Sequence, residues 1–309
     1  TAVGVINPHL ADKYKVMVES HVDEIGWSVK YISSDGLIYV EKIGSPDVLL
    51  APGQRVNIHT SKGDIRGVFG FPALHLREAD KKILTSGLTI DVGCISKSKT
   101  ESLGISIGDP ITSDNGCEFI GDGKIVSRAL DNKIGGFALA QLLKKIYDED
   151  TELDFCLYIT NSTQEEVGKH GATMIVDKLK PNMAIVTDVT HDTSTPGIVE
   201  RVKGDFKITR GPVINSSPLI HKGLLKIVRD IADKNKIKYQ MKAGVKKTGT
   251  DADVIAISNG GTPTVLISTP IRYMHTPNEI CSTGDVNRLI DLIHLTLIEV
   301  SYGNLGFEN

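Results

Sequence analysis

The feature that most constrains the fold is an alternation of strand-like and helix-like segments from about residue 124 to the end of the chain. Short apolar runs such as "DFCLYIT", "MAIVT" and "TVLIST" are typical of buried strands. Amphipathic segments between them, such as residues 218–236 ("PLIHKGLLKIVRDIADKNK"), have helical periodicity. This alternation predicts an α/β fold with a mainly parallel central sheet and helices on both faces. Residues 284–301 are predicted to form a closing helix, with Ser282 and Asp285 as its capping box.

Residues 26–123 have a different pattern. Short β-like runs, such as "WSVKYI", "RVNIHT" and "LTIDVG", are separated there by Gly, Asp, Ser and Pro. The best helix candidate in this block is "LREADKKILTS". The run "KVMV", which precedes the block, resembles the later sheet strands. We therefore expect a discontinuous α/β domain, residues 1–25 and 124–309, that carries an inserted β-rich domain, residues 26–123.

Composition excludes several classes of protein. The chain has 309 residues, 40% of them hydrophobic and 24% charged, with a net charge of −3, which is ordinary for a soluble protein and argues against nucleic-acid or membrane-surface partners. We find no run long enough to cross a bilayer and no signal peptide. The cysteines form no C-x-x-C pair, which favours free thiols and a cytoplasmic location; they are Cys94, Cys117, Cys156 and Cys281.

Histidines and acids follow several of the predicted strands. Because the carboxyl ends of parallel strands meet at one edge of a sheet, we expect these residues to gather there. Alone, each is more commonly a turn, capping or surface residue. Together, two histidines and several carboxylates are a ligand set for divalent metals. The residues are His21, Asp131, Glu165, Glu166, Asp188 and His275.

A charge balance indicates how two ions could be held. Three carboxylates and a bridging hydroxide would cancel the charge of two divalent ions, and a buried site must be close to neutral. The five candidate ligands are His21, Asp131, Glu166, Asp188 and His275, with Asp131 as the natural bridging carboxylate.

Two acids remain after this assignment. Glu165, beside a candidate ligand, is the candidate general base that activates the metal-bridging water and returns the proton to the leaving amine. Asp23, two residues from His21, can accept the ring N–H that faces away from the metal and so fix the histidine tautomer.

The ordered motifs resemble a known family. "SHVDEIG", "RALDNKIGG", "TQEEVGKHGA", "GTDADVIAISNGGTPTVLIS" and "PIRYMHTPNE" are similar to segments of the glutamyl aminopeptidase, deblocking aminopeptidase and TET family. These are dinuclear metallo-aminopeptidases, family forty-two of the metallopeptidases in clan MH, and some members have carried an endoglucanase label. The resemblance covers nearly the whole chain. In most relatives an extra helical segment precedes the first strand, whereas only about fifteen residues precede it here.

The resemblance implies the same ligands, with Asp131 bridging, Glu165 as general acid/base and Asp23 orienting His21. It implies two zinc or cobalt ions per subunit, with manganese also acceptable, and peptide substrates with a free N-terminus. It also implies that the inserted domain is a dimerisation domain, in a homo-oligomer that is typically a tetrahedral dodecamer.

Alternatives remain at this point. A metal-dependent deacylase or amidohydrolase of the same fold would act on acylated substrates. A glycoside hydrolase needs two opposed carboxyls, which adjacent glutamates supply poorly. A non-catalytic metal-binding protein would have lost a ligand or the base.

The roles of some neighbouring residues are also open. "GTDADV" could line the pocket, or begin a helix with Thr250 or Asp251 as N-cap. Arg272 and Tyr273 could contact substrate or form a structural salt bridge. The specificity for the N-terminal residue and the identity of the metal stay open.

Overall fold

The computed structural model describes residues 1–76, 83–244 and 246–301, which form a ten-stranded mixed sheet with helices and a separate six-stranded closed barrel. The strands are β1 (Ala2–Ile6), β2 (Lys15–His21), β3 (Gly26–Ile32), β4 (Ile38–Ile43), β5 (Arg55–Thr60), β6 (Gly63–Gly70), β7 (Thr89–Asp91), β8 (Pro110–Ser113), β9 (Glu118–Ile120), β10 (Lys124–Ser127), β11 (Cys156–Ser162), β12 (Met183–His191), β13 (Val213–Ser216), β14 (Gln240–Ala243), β15 (Thr264–Arg272) and β16 (Glu279–Ser282). The helices are α1 (Lys97–Ser102), α2 (Leu130–Asp148), α3 (His170–Leu179), α4 (Glu200–Lys203), α5 (Lys222–Lys234), α6 (Ala252–Ile255) and α7 (Thr283–Ser301).

The barrel is built from β3 to β8 in the order β3-β4-β7-β6-β5-β8, with antiparallel neighbours throughout. The β-like runs of this block alternate inward apolar and outward polar residues, which is the pattern of strands with one buried face. Trp27 and Phe69 meet inside the barrel, with ring centroids 5.3 Å apart. Strand β9 also falls within residues 26–123, but it pairs with β10 in the large sheet.

The large sheet is parallel at its centre and antiparallel toward both ends of its main path, and off this path β14 pairs parallel with β13. Its main path runs β1-β11-β2-β12-β15-β16-β10-β9, and the neighbours β11, β2, β12 and β15 are parallel. The predicted α/β fold is confirmed, with these four central strands parallel. The outer pairs along the main path are antiparallel. For β15 and β16 the reason is the short loop between them, since a short loop can join only antiparallel neighbours.

The core of the large sheet lies at its central strands. Val16, Met17 and Val18 on β2 are fully buried, because helices cover the sheet. Helix α2 packs on β2 and β12 and against α7, whereas α3 packs on β11 and against α6. This packing fixes the positions of the strand ends that carry the candidate site. No helix of the described ranges is long and apolar enough to cross a membrane.

Several local predictions differ from the structure. The helix predicted over residues 218–236 begins only at Lys222, because the His221 ring accepts the Leu224 N–H and caps it there. Strand β1 precedes the strand that was predicted to be first, and it pairs with β11 at the sheet edge. The helix candidate "LREADKKILTS" falls largely on residues 77–82, outside the described residues.

The predicted capping box at the start of α7 is wrong. The Asp285 carboxylate accepts hydrogen bonds from the backbone N–H of Thr209 and Gly211, at 2.5 and 2.8 Å. Asp285 therefore ties α7 to a distant loop. Hydrogen bonds to a distant segment therefore take the place of the local cap that the spacing suggested.

Candidate active site

Two candidate residues lie level with each other on neighbouring parallel strands. Glu19 of β2 pairs with Val186 of β12, so His21 and Asp188, each two residues further on, are at the same height at the carboxyl side of the sheet. His21 ends its strand as predicted. Asp188 lies inside β12 rather than after it, because the strand continues to His191.

The other candidates lie on loops and at a helix start. Glu165 and Glu166 lie in the turn after β11, and His275 lies in the loop after β15. Asp131 is in the first turn of α2, where its backbone is not helical and its peptide bond to Asn132 is cis. Gln164 and His275 have φ values of 67° and 63°, which residues other than glycine seldom adopt. Such conformations are concentrated at functional sites, where the surrounding structure holds them.

Asp131 lies between the two histidines. Its Oδ1 is 3.3 Å from His21 Nε2 and its Oδ2 is 3.1 Å from His275 Nε2. Asp188 Oδ1 lies 3.7 Å from His21 Nε2, and Glu166 Oε1 lies 3.6 Å from His275 Nε2. The five residues therefore form two groups that share one carboxylate.

The ionisation of these groups reflects crowded negative charge. Burial and the nearby Asp131 raise the pKa of Glu166 to about 8, and burial raises the pKa of Asp188 to about 6 despite its contact with His21. Contact with Asp131 raises the pKa of His275 to about 9. Burial opposes charge on His21 too, but its three aspartate neighbours prevail and raise its pKa far above the usual range. The site therefore favours bound positive charge.

A divalent cation fits this donor set. Ligand atoms of His21, Asp131 and Glu166 lie within 4.8 Å of one another and could hold a metal ion. In the part of the chain that the structure describes, the buried Oε1 of Glu166 accepts no hydrogen bond, and a buried carboxylate oxygen needs a partner. Imidazole nitrogens combined with carboxylate oxygens suit zinc and related ions.

Asp23 contacts both His21 and the glutamate turn. The His21 Nδ1 lies 3.5 Å from Asp23 Oδ1 and 3.2 Å from the Asp23 backbone oxygen. The two carboxylate oxygens of Asp23 accept the backbone N–H of Glu165 at 3.1 Å and of Glu166 at 3.2 Å. Asp23 thus links the end of β2 to the turn after β11.

Glu165 is buried beside the cluster. Burial raises the pKa of its carboxyl, although His21 and Lys169 act in the opposite direction. The Lys169 ammonium lies 3.3 Å from Glu165 Oε1. The Glu165 carboxylate is thus a stronger base than usual and lies next to the candidate metal ligands, as a general base requires.

Glu279 is a site residue that the sequence analysis did not single out. Its Oε2 accepts the Asp131 N–H at 3.0 Å, and its Oε1 accepts the His275 N–H at 2.7 Å. Burial raises the pKa of Glu279 to about 7. The only signal in the sequence is an acid four residues after His275, and such a spacing is too common to identify it.

Contacts bear on the alternatives that the sequence left open for neighbouring residues. Asp251 precedes α6, but its side chain makes no capping hydrogen bond and instead accepts one from Ser162 Oγ at 2.9 Å. Thr250 has both expected roles, since it lines the cavity of about 230 Å³ that contains the candidate residues and its Oγ1 accepts the backbone N–H of the first residue of α6 at 3.3 Å. Arg272 Nε lies 3.6 Å from the buried carboxylate of Asp192, which supports the salt bridge.

Comparisons with known proteins place the chain in a family. The sequence model of the M42 glutamyl aminopeptidase family matches residues 2–292. A lysyl aminopeptidase from Pyrococcus furiosus is 32% identical over 292 residues, which are 93% of this chain and 82% of that protein.

Solved structures agree. The TET aminopeptidase of a marine sediment archaeon of the Thaumarchaeota superposes with a TM-score of 0.92 at 25% identity, covering 98% of this chain and 86% of that one. The TET1 peptidase of Pyrococcus horikoshii, which can assemble into a tetrahedron or a large octahedral shell, has a TM-score of 0.81 at 28% identity, covering 91% and 83%. The chain therefore belongs to the M42 glutamyl aminopeptidase family, whose members are exopeptidases that hydrolyse peptide bonds.

Proposed function

We propose that the protein is a dinuclear metal-dependent aminopeptidase that removes residues from the N-terminus of peptides. The observation that carries the proposal is the position of Asp131, with one carboxylate oxygen toward each histidine. His21 and Asp188 would hold one ion, Glu166 and His275 the other, and Asp131 would bridge them. Zinc or cobalt suits these ligands best, and manganese is acceptable.

The bound ions would polarise the scissile carbonyl and make water more acidic. Glu165 accepts the proton of the attacking water and returns it to the amine that leaves. The burial that raises the pKa of Glu165 supports this role, since a stronger base takes the proton more readily. Asp23 holds the backbone of the turn that carries Glu165, and its contacts with Nδ1 of His21 orient the ring.

The acids around the site also favour a free α-amine on the substrate, since a protonated amine adds charge of the opposite sign. Blocked substrates would lose this interaction. The site would therefore act on chain ends rather than on internal bonds.

We also propose that residues 26–123 are an inserted dimerisation domain and that the protein works as a homo-oligomer built from dimers, including a tetrahedral dodecamer. The family resemblance and the assembly described for the Pyrococcus horikoshii peptidase support this. The free cysteines support a cytoplasmic location.

Mass spectrometry of peptide digests tests the proposed function. A synthetic peptide with a free N-terminus and the same peptide acetylated are incubated with zinc-loaded or cobalt-loaded protein. Stepwise loss of N-terminal residues from the free peptide alone is expected. Removal of the acetyl group would instead indicate a deacylase, and internal cleavage would contradict an exopeptidase. Hydrolysis of a cello-oligosaccharide that persists with a chelator would indicate a glycoside hydrolase.

A further inference from the structure

One glycine of the barrel lies against a proposed metal ligand. Gly44 directly follows β4, and a Cβ atom at this position would lie 3.3 Å from Glu166 Cβ, 3.5 Å from the Glu166 backbone oxygen and 2.8 Å from Ile25 Cγ2. Nonbonded carbon atoms are at their optimal separation at about 3.5–4.0 Å. A side chain at position 44 would therefore push against Glu166 and Ile25.

The backbone of Gly44 also requires glycine, because its φ of 68° lies in the left-handed region. Gly53, on the same connection between β4 and β5, has a φ of 80°. Among the described residues, no atom beyond its chain neighbours lies within 4 Å of the Cβ position of Gly53. The two glycines therefore meet the same backbone requirement, whereas Gly44 also makes a close contact with the site.

The side chain of Glu166 has few restraints of its own. Within the described ranges its buried Oε1 accepts no hydrogen bond, and it lies 3.6 Å from His275 Nε2. The backbone N–H of Glu166 donates to the Asp23 carboxylate at 3.2 Å. The position of the Glu166 carboxylate therefore depends on this hydrogen bond and on packing around its Cβ atom, where Gly44 lies.

The barrel and the site also share a cavity of about 50 Å³. Leu50 and Phe69 line it on the barrel side, and Asp131, His275 and Glu279 line it on the other side. The barrel therefore forms part of the wall beside the proposed ligands.

Arg128 joins the two connections between the large sheet and the barrel. Its guanidinium donates to both carboxylate oxygens of Glu24, at 3.1 and 3.4 Å, in the connection from β2 to β3. It also donates to the backbone oxygen of Asn115, at 3.5 Å, in the connection from β8 to β9. Lys133 binds Glu24 at 2.5 Å, but among the described residues it makes no hydrogen bond or ion pair to the second connection. Arg128 is therefore placed to hold the barrel in one orientation.

We propose that the barrel is a positioning element of the active site, in addition to the assembly role proposed for residues 26–123. Gly44 lets the barrel rest against Glu166 and so fixes the position of that ligand, and Arg128 keeps the barrel in place. The effect on metal binding rests on the proposed function. The contact itself does not, and it can be tested without metal or substrate.

Hydrogen exchange of the metal-free protein tests the contact. Gly44→Ala is compared with Gly53→Ala, the matched control with the same backbone requirement but an open Cβ position. In Gly44→Ala the displaced Glu166 should weaken the hydrogen bonds from the turn to Asp23. Mass spectrometry should then show exchange about three- to tenfold faster in a peptide covering residues 163–169, as expected for the loss of about one net hydrogen bond. Gly53→Ala should exchange there like the wild type, and equal exchange in the two variants overturns the inference.

Metal titration tests the consequence for the site. In competition with a chromophoric chelator, Gly44→Ala should bind one of two zinc ions about 10- to 100-fold more weakly, as for other residues that orient ligands. The other ion should bind as in the wild type, and Gly53→Ala should bind both normally. If the wild type binds two ions and Gly44→Ala and Gly53→Ala bind them equally well, the inference is wrong.

A second pair of variants tests the inference if Gly44→Ala does not fold. Arg128→Met frees both connections, whereas Lys133→Met, the matched control, removes one ion pair of Glu24 from the first connection alone. Exchange in residues 163–169 should be faster in Arg128→Met and close to the wild-type rate in Lys133→Met. Equal exchange in these two variants contradicts the positioning role.

Failure of the proposed function has a separate signature. A wild-type protein that binds fewer than two ions, or that cleaves no peptide with a free N-terminus, would contradict the dinuclear aminopeptidase. The exchange comparison needs neither metal nor substrate, so it still decides whether the barrel positions Glu166.

Discussion

The Glu279 carboxylate accepts a hydrogen bond from the backbone N–H of Asp131, 148 residues earlier in the chain, at 3.0 Å. Its other oxygen accepts the N–H of His275 at 2.7 Å. One side chain therefore fixes the distance between two segments that supply candidate metal ligands. Neither of these ligands belongs to a regular strand, so their backbones need such a restraint.

Replacing Glu279 with glutamine should weaken metal binding. The amide keeps one acceptor oxygen but presents an NH₂ group to the second backbone N–H. One of the two hydrogen bonds is therefore lost, and two donors face each other. We expect metal affinity to fall by about 10- to 100-fold, as for other residues that orient ligands. Competition titration with a chromophoric chelator measures this. Glu152→Gln, an exposed glutamate, is the control. Equal affinities in the two variants would refute the positioning role.

Removing the carboxylate proposed to bridge the two metal positions should change metal occupancy differently from removing a carboxylate proposed to bind one ion. Asp131→Asn should reduce the occupancy of both metal positions, whereas Asp188→Asn or Glu166→Gln should reduce occupancy mainly at one. The reason is that Asp131 directs one carboxylate oxygen toward each histidine, at 3.3 and 3.1 Å, whereas Asp188 contacts His21 at 3.7 Å and Glu166 contacts His275 at 3.6 Å. Metal content after dialysis, measured by elemental mass spectrometry, gives the stoichiometry, with the exposed Asp148→Asn as control. Identical losses in all three variants would argue against two separate positions.

The stability of the fold should depend on the ionisation of Glu24. Burial raises the pKa of this carboxyl, but ion pairs with Arg128 at 3.1 Å and Lys133 at 2.5 Å outweigh it and lower the pKa overall. A lowered pKa in the folded state means that the stabilisation is present above the unfolded pKa of about 4.3. It is lost as the pH falls through the lower folded value.

Urea unfolding of Glu24→Gln measures this contribution. At pH 7 we expect a loss of about 1–2 kcal/mol, since the pairs are charge-assisted but Lys133 is partly exposed. The loss should shrink as the pH falls below about 4, because the wild-type carboxyl then becomes neutral as well. Glu41→Gln, at an exposed ion pair, should change stability far less. A difference that is constant from pH 7 to pH 3 would contradict the assignment.

The sequence predicts those parts of the fold that follow from local periodicity. Buried runs such as "DFCLYIT" and "MAIVT" correspond to β11 and β12. His21 and Asp188 lie at the same height, as expected for residues near the carboxyl ends of parallel strands. The antiparallel pairing of the outer strands of the main path follows from loop lengths and from pairings between distant segments, which local periodicity does not show. Strand β1 is short and interrupted by Gly4, so its pattern is weak.

Contacts between side chains and distant backbone escape sequence reasoning. The spacing of Ser282 and Asp285 suggested a local cap, yet Asp285 binds amides more than seventy residues away. Glu279 gains its position only from the packing of the sheet. No periodicity marks this residue, since an acid at such a position is usually exposed to solvent.

The most direct test of the central claim is the hydrolysis of aminoacyl-p-nitroanilides, each paired with its N-acetylated form, by wild-type protein and Glu165→Gln. Each protein is assayed free of metal and after loading with zinc or cobalt, and its metal content is measured. We expect metal-restored cleavage of the free-amine compounds only. The variant should lose about 10²- to 10⁴-fold in kcat while binding as much metal as the wild type. Full activity of metal-loaded Glu165→Gln, or activity of the metal-free wild type, would contradict the account.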